Sequence, residues 1–317
     1  MPVTIHRIHL KTNTQKRAQL IDWCLTRKKQ YIAIGWSYLY KIFSINSYDD
    51  FYKAAKDDCQ RINAALNIFK NTKENDLFWT RDLNGFYWVC RAKGLAIPVN
   101  QTILTQEIFL ELDIGAVIPV EAYKYGMQIP GNIKASFNKA QGGISQKFYD
   151  DLTLLFSEHA FNTASKKKHY KINEAPEFLQ IKCKESFLHT LLPPLDLEEL
   201  VISYIQINYN YYLLSGSIAN KSTTIKIEAE FISRNPKAIE KAVVQVKNRT
   251  LLDASNYTSF TDAGYKVFLY SNNGVKTNEN TNIIVIQPSE LKAFYENYKS
   301  ILSKSITQYE NIFDQFS

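Results

Sequence analysis

Long apolar runs are missing from this chain of 317 residues. No stretch approaches the roughly 20 apolar residues needed to span a bilayer, so no membrane partner is expected. Cysteine is scarce, and Cys24, Cys59, Cys90 and Cys183 lie far apart with no Cys-x-x-Cys pair. That argues against a disulfide framework and a zinc knuckle, and leaves buried reduced thiols as the simplest account. A Gly-x-x-x-x-Gly-Lys-Ser/Thr loop is absent, which argues against an NTP motor within the chain. The first residues, Met1 to Arg7, carry no apolar core of signal-peptide length. These absences lead to the expectation of a cytoplasmic protein.

Aromatic residues and positive charge are plentiful by contrast. The chain has 20 Tyr, 18 Phe and 4 Trp, and a net charge of +7. Its 45% hydrophobic and 22% charged residues are ordinary for a folded protein. A basic balance favours a polyanionic partner, because neutralising phosphates releases counterions. The aromatics fit either well-filled cores or surfaces that stack on bases.

Pattern changes divide the chain into residues 1–160, a basic linker over 161–194, and residues 195–317. In the first part, Val3 to Ile8 alternates as a strand, and Leu20 to Leu25 forms a helical stripe. Tyr31 to Trp36 reads as a short buried strand, residues 48–70 have helical spacing, and Asp113 to Ile118 is a further strand. Asp76–Thr80 and Phe86–Arg91 flank a loop ending in Asn84-Gly85, a strong hairpin signal. Short strands with interspersed helices suggest a small barrel or curled sheet. The linker contains Lys166-Lys167-Lys168-His169, a solvated run or one that lies along a phosphate backbone. The last part reads helix, two strands, connection, strand, strand, helix, the order of an α/β domain.

The two strands of that last part carry the chemistry. Over 223–231, Ile225, Ile227, Ala229 and Phe231 alternate with Lys226, Glu228 and Glu230. Over 241–247, Gln245 and Lys247 share one face and Val244 and Val246 the other. Ser233-Arg234-Asn235-Pro236-Lys237 supplies turn chemistry between them, so the segments should fold back on each other. An acid, an amide oxygen and an ammonium then meet on one sheet face, with the Val246 carbonyl as a further oxygen. Such a set suits Mg²⁺ or Mn²⁺, since Mg²⁺ keeps several waters and needs only one or two carboxylates. Glu198 or Glu199, on the helix before, could reach the same face. The same alternations also describe the wet face of any half-buried sheet.

Val243-Val244-Gln245-Val246-Lys247 and Leu197-Glu198-Glu199-Leu200-Val201 give residues 190–300 a resemblance to the Mrr-like branch of the PD-(D/E)xK restriction endonucleases. That branch carries Gln-x-Lys where most relatives have an acid before the lysine. The resemblance implies a restriction-endonuclease-like α/β domain with Glu228, Gln245, Lys247 and Glu198 as catalytic residues. It places the metal on Glu228, Gln245 and the carbonyl of Val246. The central acid of the family is usually Asp; this chain has Glu228, with Glu230 as an alternative.

Ile34-Gly35-Trp36, then Asp76 to Asp82 with Gly85 to Trp88, then Ile129-Pro130-Gly131-Asn132-Ile133 resemble an EVE-type domain of the PUA-like barrels. This implies an α+β barrel with a pocket that encloses one base. Trp36 and Trp79 are the preferred cage members, and Ser37 or Arg81 would meet the polar edge of the base. Stacking on such a cage returns roughly 1–3 kcal/mol per base.

Together these readings lead to the expectation of a modification-dependent, type IV-like DNA endonuclease of bacterial defence, acting on double-stranded DNA that carries a modified base. A homodimer would allow both strands to be cut. The alternatives are a nucleic-acid-binding sensor whose nuclease fold no longer cuts, and an RNA-binding protein.

Overall fold

Alternating strand segments of the first half assemble into one curled sheet. The computed structural model describes residues 3–58, 64–138, 143–174, 177, 192–218, 227–237, 239–277 and 279–316. Its strands are β1 (Ile5–Ile8), β2 (Gln30–Ile34), β3 (Leu77–Arg81), β4 (Tyr87–Ala92), β5 (Ile97–Pro98), β6 (Ala116–Gly126) and β7 (Ser145–Phe148). They run in the order β2-β6-β4-β3-β1-β7, with β5 also on β6, and β1 and β3 are parallel. Strand β6 pairs with β2 through its first residues and with β4 through its last, so it bends the sheet into a half-barrel.

The β3–β4 hairpin forms as its loop foretells. Gly85 sits at φ +85, and Asp82 Oδ1 accepts from the backbone N–H of Asn84 at 3.0 Å and of Phe86 at 2.9 Å. Gly115 is required for a different reason. A Cβ there would collide with the Gly35 carbonyl oxygen, so the chain just after β2 and just before β6 approaches too closely for a side chain.

Each face of this sheet has its own cover. Ile8, Phe78, Cys90 and Ile118 face a core shared with α1 (Arg17–Leu25), α2 (Tyr48–Asp58) and α3 (Ala64–Asn71). Trp79 points the other way, onto Phe156 of α6 (Asp151–Ser165). Strand β1 is buried on both faces: Ile5, His6, Arg7 and Ile8 are all inside. The remaining helices of this half are α4 (Gln106–Glu111) and α5 (Gly131–Asn138).

The chain divides into two compact units, Met1–Ile129 with Ile133–Ala175, and Pro130–Asn132 with Pro176–Ser317. Residues 166–172, expected within a linker, pack on the first unit. Lys166 caps α6 at φ 57, Asn162 Oδ1 accepts from His169 and Tyr170 N–H groups, and Tyr170 is buried. Residues 178–191 of that linker, Cys59 and Ile62 of the 48–70 helix, and Ile225 and Lys226 of the 223–231 strand lie outside the described residues.

In the second unit, α7 (Pro194–Asn208) precedes a mixed sheet of β8 (Tyr211–Leu213), β9 (Ala229–Ser233), β10 (Lys241–Lys247), β12 (Tyr265–Ser271) and β14 (Ile283–Val285). The order is β14-β12-β10-β9-β8, with β10, β12 and β14 parallel and β9 antiparallel to both of its neighbours, β10 and β8. A two-residue ladder joins β11 (Leu252–Asp253) to β13 (Val275–Lys276). Val243, Val267 and Leu269 face Ala254 and Tyr257, beside the short helix α8 (Thr258–Asp262). On the opposite face Phe268 meets Tyr209 at the end of α7, and Tyr204 of α7 meets Phe294 of α9 (Pro288–Tyr298). Helix α9 starts on a capping box of Gln287 and Glu290 with Pro288 in its first turn, an assembly suited to the free N–H groups there.

Candidate functional site

Antiparallel pairing of β9 with β10 brings the acid to the amide. Val244 pairs with Ala229, and the Glu228 N–H donates to the Val244 carbonyl at 2.7 Å, so Glu228 lies across from Gln245. The Gln245 amide donates from Nε2 to Glu228 Oε1 at 2.7 Å and to the carbonyl of Val246 at 3.2 Å. Lys247 Nζ stands 3.2 Å from the same Glu228 oxygen. The three side chains thus converge. Glu230 pairs with Val243 instead, a strand repeat further from Lys247, so the geometry selects Glu228 between the two acids.

Exposure rises across the cluster. Gln245 is 3% exposed, the Glu228 side chain 14%, and the Lys247 side chain 43%. The carboxylate therefore bridges a buried amide and a solvent-reaching ammonium, and the cluster is open on the Lys247 side. Tyr257, passed over in the sequence, lies close enough for the Glu228 charge to add to the effect of burial, and both raise its phenol pKa.

The donor set fits a small divalent cation. Glu228 Oε1 and the Val246 carbonyl both face the Gln245 amide nitrogen. Turned by half a rotation, that amide would set its oxygen beside the other two, three hard donors in all. Among the described residues there is no group of three His, Cys, Asp or Glu side chains able to hold a metal, so this set relies on one carboxylate.

Glu198 is half-buried on α7, the helix on the opposite face of the sheet, while Glu199 is exposed. The start of α7 is nonetheless tied to the end of β10, because Asn248 Nδ2 donates to the Leu192 carbonyl at 3.0 Å. Asn272 Nδ2 donates to Asn248 Oδ1 at 2.8 Å, and Tyr270 donates its hydroxyl to Asn272 Oδ1 at 2.5 Å. This chain of amides fixes the strand end that carries Lys247. Asn248, directly after Lys247, was the only sequence signal for it.

The expected base cage does not assemble. Trp36 packs on the core that contains Phe78, whereas Trp79, the next residue along β3, points to the other face. Trp79 is 0% exposed, rings of Phe156 and Tyr125 cover it, and its indole N–H donates to Ser157 Oγ at 2.9 Å. It offers no face to a base. Ser37 is buried too, and its N–H and hydroxyl both donate to Asp113 Oδ1 at 3.0 Å. Arg81 is half-buried, donates to Asn138 Oδ1 at 3.0 Å, and lies over the rings of Tyr87 and Phe137.

What this unit does contain near Trp36 is strain and a cavity. Trp36 (φ 68) and Asp113 (φ 48) both hold left-handed backbone, which disfavours such side chains. The Ser37–Lys41 turn that follows borders an open cavity of about 370 Å³. Tyr40, Phe43 and Phe109 supply its rings, and Asn46, Asn100 and Gln106 its amides. No cage residue expected from the sequence lines it.

Neither family models, nor curated proteins, nor solved structures contain a match to this chain.

Proposed function

We propose that this protein is a metal-dependent DNA endonuclease whose first unit reads a base and whose second unit cuts the backbone. The observation that carries the reading is the meeting of Glu228, Gln245 and Lys247 at one carboxylate oxygen, open on one side. On this reading the first unit is a PUA-like reader and the second a restriction-endonuclease-like domain. Bound Mg²⁺ or Mn²⁺ would polarise a phosphoryl oxygen and acidify a water. Glu228, Gln245 and the Val246 carbonyl would hold it. Lys247, at the exposed rim, would place a positive charge beside the scissile phosphate, where negative charge builds up. Glu198, on the helix across the sheet from the cluster, would act only through the strand end to which the start of α7 is tied.

For the base, the geometry favours the cavity beside Trp36 over the Trp36–Trp79 cage. Its aromatic walls suit stacking, and its uncharged amides suit the polar edge of a base. On this reading a base flipped from double-stranded DNA would stack on these walls, and its modification would be sensed there.

The decisive assay incubates the full chain with Mg²⁺ or Mn²⁺ and matched methylated and unmethylated plasmids. Cleavage of the modified plasmid supports the reading. Tight binding with no cut in either plasmid favours a sensor that keeps the fold, a second reading supported by the single carboxylate of the metal set. Preference for structured RNA over both plasmids favours an RNA-binding protein.

A further inference from the structure

Strand β1 buries an arginine that no acid among the described residues answers. Arg7 is 1% exposed, and its one hydrogen bond on the described residues is from Nη1 to the Gly143 carbonyl at 2.7 Å. Its Nε is buried without a partner. Burying a guanidinium without a counter-charge is unfavourable, and a fold ordinarily matches it with a carboxylate.

The same face of the same sheet shows the matched case. Arg91 of β4 lies over Phe161, with its Cζ 5.7 Å from the ring centroid, and pairs with Glu121 at 2.8 Å. Arg7 lies over Phe137 in the same manner, at 5.8 Å, yet has no carboxylate among the described residues. Residues 139–142, between Phe137 and Gly143, contain no acid in the sequence either.

Other positive groups gather where a counter-charge would be expected. Arg81 stands 5.7 Å from the centroid of the same Phe137 ring, and it donates a hydrogen bond to the neutral amide of Asn138. His9 meets Phe137 edge-on at 5.0 Å. Burial lowers the His9 imidazole to about 4, and Arg7, Arg81, Arg17 and Lys11 all push it the same way. Arg7, Arg81 and His9 thus meet at one ring, that of Phe137, and neither arginine makes an ion pair among the described residues. Arg17 gives its Nε to the Leu10 carbonyl at 3.2 Å, and Lys11 is exposed.

We propose that Arg81 and His9, backed by the buried charge of Arg7, form a phosphate-binding site in the first unit that takes a backbone phosphate of nucleic acid. Arg81 supplies a planar fork suited to two phosphate oxygens. Neutral His9 supplies one N–H. Arg7 touches no solvent and acts as fixed positive charge beneath. This moves Arg81 from the base edge to the backbone, where contacts position the protein and carry no sequence information. The assignment of the phosphate to nucleic acid rests on the reading of the protein as a nucleic-acid binder; the anion site itself does not.

The test measures binding of a labelled DNA duplex to the full chain by anisotropy across a salt series, for the protein, Arg81→Gln and Lys29→Gln. Lys29 is an exposed lysine of the same unit, so its loss controls for net charge. Arg81→Gln should weaken binding about tenfold, as loss of a charge-assisted hydrogen bond implies. The salt slope should fall by about 0.9, the share of one phosphate contact. Lys29→Gln should do much less. If the unchanged protein binds the duplex and Arg81→Gln matches Lys29→Gln in affinity and slope, the site is wrong while the nucleic-acid reading survives. If the unchanged protein binds neither duplex nor RNA, that reading fails, and inorganic phosphate decides alone. A rise in Tm with phosphate, lost in Arg81→Gln, keeps the site as one for a free anion; no rise overturns it.

Discussion

Glu228, just before β9 in the second unit, and Arg7, on β1 in the first, are both charged groups at a covered sheet, and they are answered in opposite ways. Glu228 receives two donors from β10, one buried and one at the surface, so its charge is balanced before any ligand arrives. Arg7 receives a carbonyl and, among the described residues, no acid, and Arg81 lies over the same Phe137 ring as it does. Arg91, two strands away on β4, has Glu121. A self-balanced cluster is assembled in advance, and a ligand that enters must displace a donor. An unbalanced one gains most when a ligand supplies the missing charge.

The contrast between closed and open sites can be broken first at Trp79, where the largest effect is expected. Its indole is sealed and its N–H is satisfied by Ser157. Trp79→Ala should cost about 3–5 kcal/mol in stability by urea unfolding. Loss of DNA recognition with stability unchanged would return Trp79 to the pocket from which its burial removes it.

Lys247→Ala comes next. With the ammonium gone, cleavage should drop by roughly 10²–10³, the range for removing a group that stabilises transition-state charge. Binding should persist, since the first unit is untouched. A variant that cuts as fast as the parent makes the cluster nothing more than a surface ion pair on a wet strand face.

At the open end of the comparison stands Phe43, 41% exposed at the wall of the cavity. Phe43→Ala should weaken binding of modified DNA by roughly 1–3 kcal/mol, the worth of one stacked base. Folding stability should change little. An equal loss for modified and plain duplexes argues for a backbone contact and against a base pocket.

The legibility of these sites in the sequence follows from how local each one is. Glu228, Gln245 and Lys247 were readable because period-two alternation and one turn bring them together within 20 residues. The Asn84-Gly85 hairpin was readable for the same reason. The cage was not. Trp36 and Trp79 look alike as letters, and only the pairing of β1, β3 and β4 with their covering helices puts them on opposite faces. The strand Ile5–Ile8 alternates as though one face were wet, yet helices or neighbouring strands cover both, and that alone makes Arg7 a buried charge. Phosphate-site members at positions 7, 9 and 81 share no local pattern; Phe137, far along the chain, gathers them.

The smallest effect, and the sharpest for the anion site, is in acid. Burial lowers His6 and His9 from the ordinary 6.5 to about 4; Lys147 adds to this for His6 while Asp76 opposes it, and four cations add to it for His9. The unfolded chain therefore takes up these protons at higher pH than the folded one. Stability from the two neutral rings is fully present above about 6.5 and is lost as pH falls towards about 4. Each ring adds at most about 1.4 kcal/mol per pH unit to that slope. A phosphate bound at Arg81 favours the protonated form of His9 but lies across the sheet from His6. Followed by NMR, the His9 midpoint should rise when duplex DNA is added, while the His6 midpoint stays. Two midpoints that move together, or neither moving at saturating DNA, place the phosphate elsewhere and leave Arg7 as a buried cation that the fold tolerates without recompense.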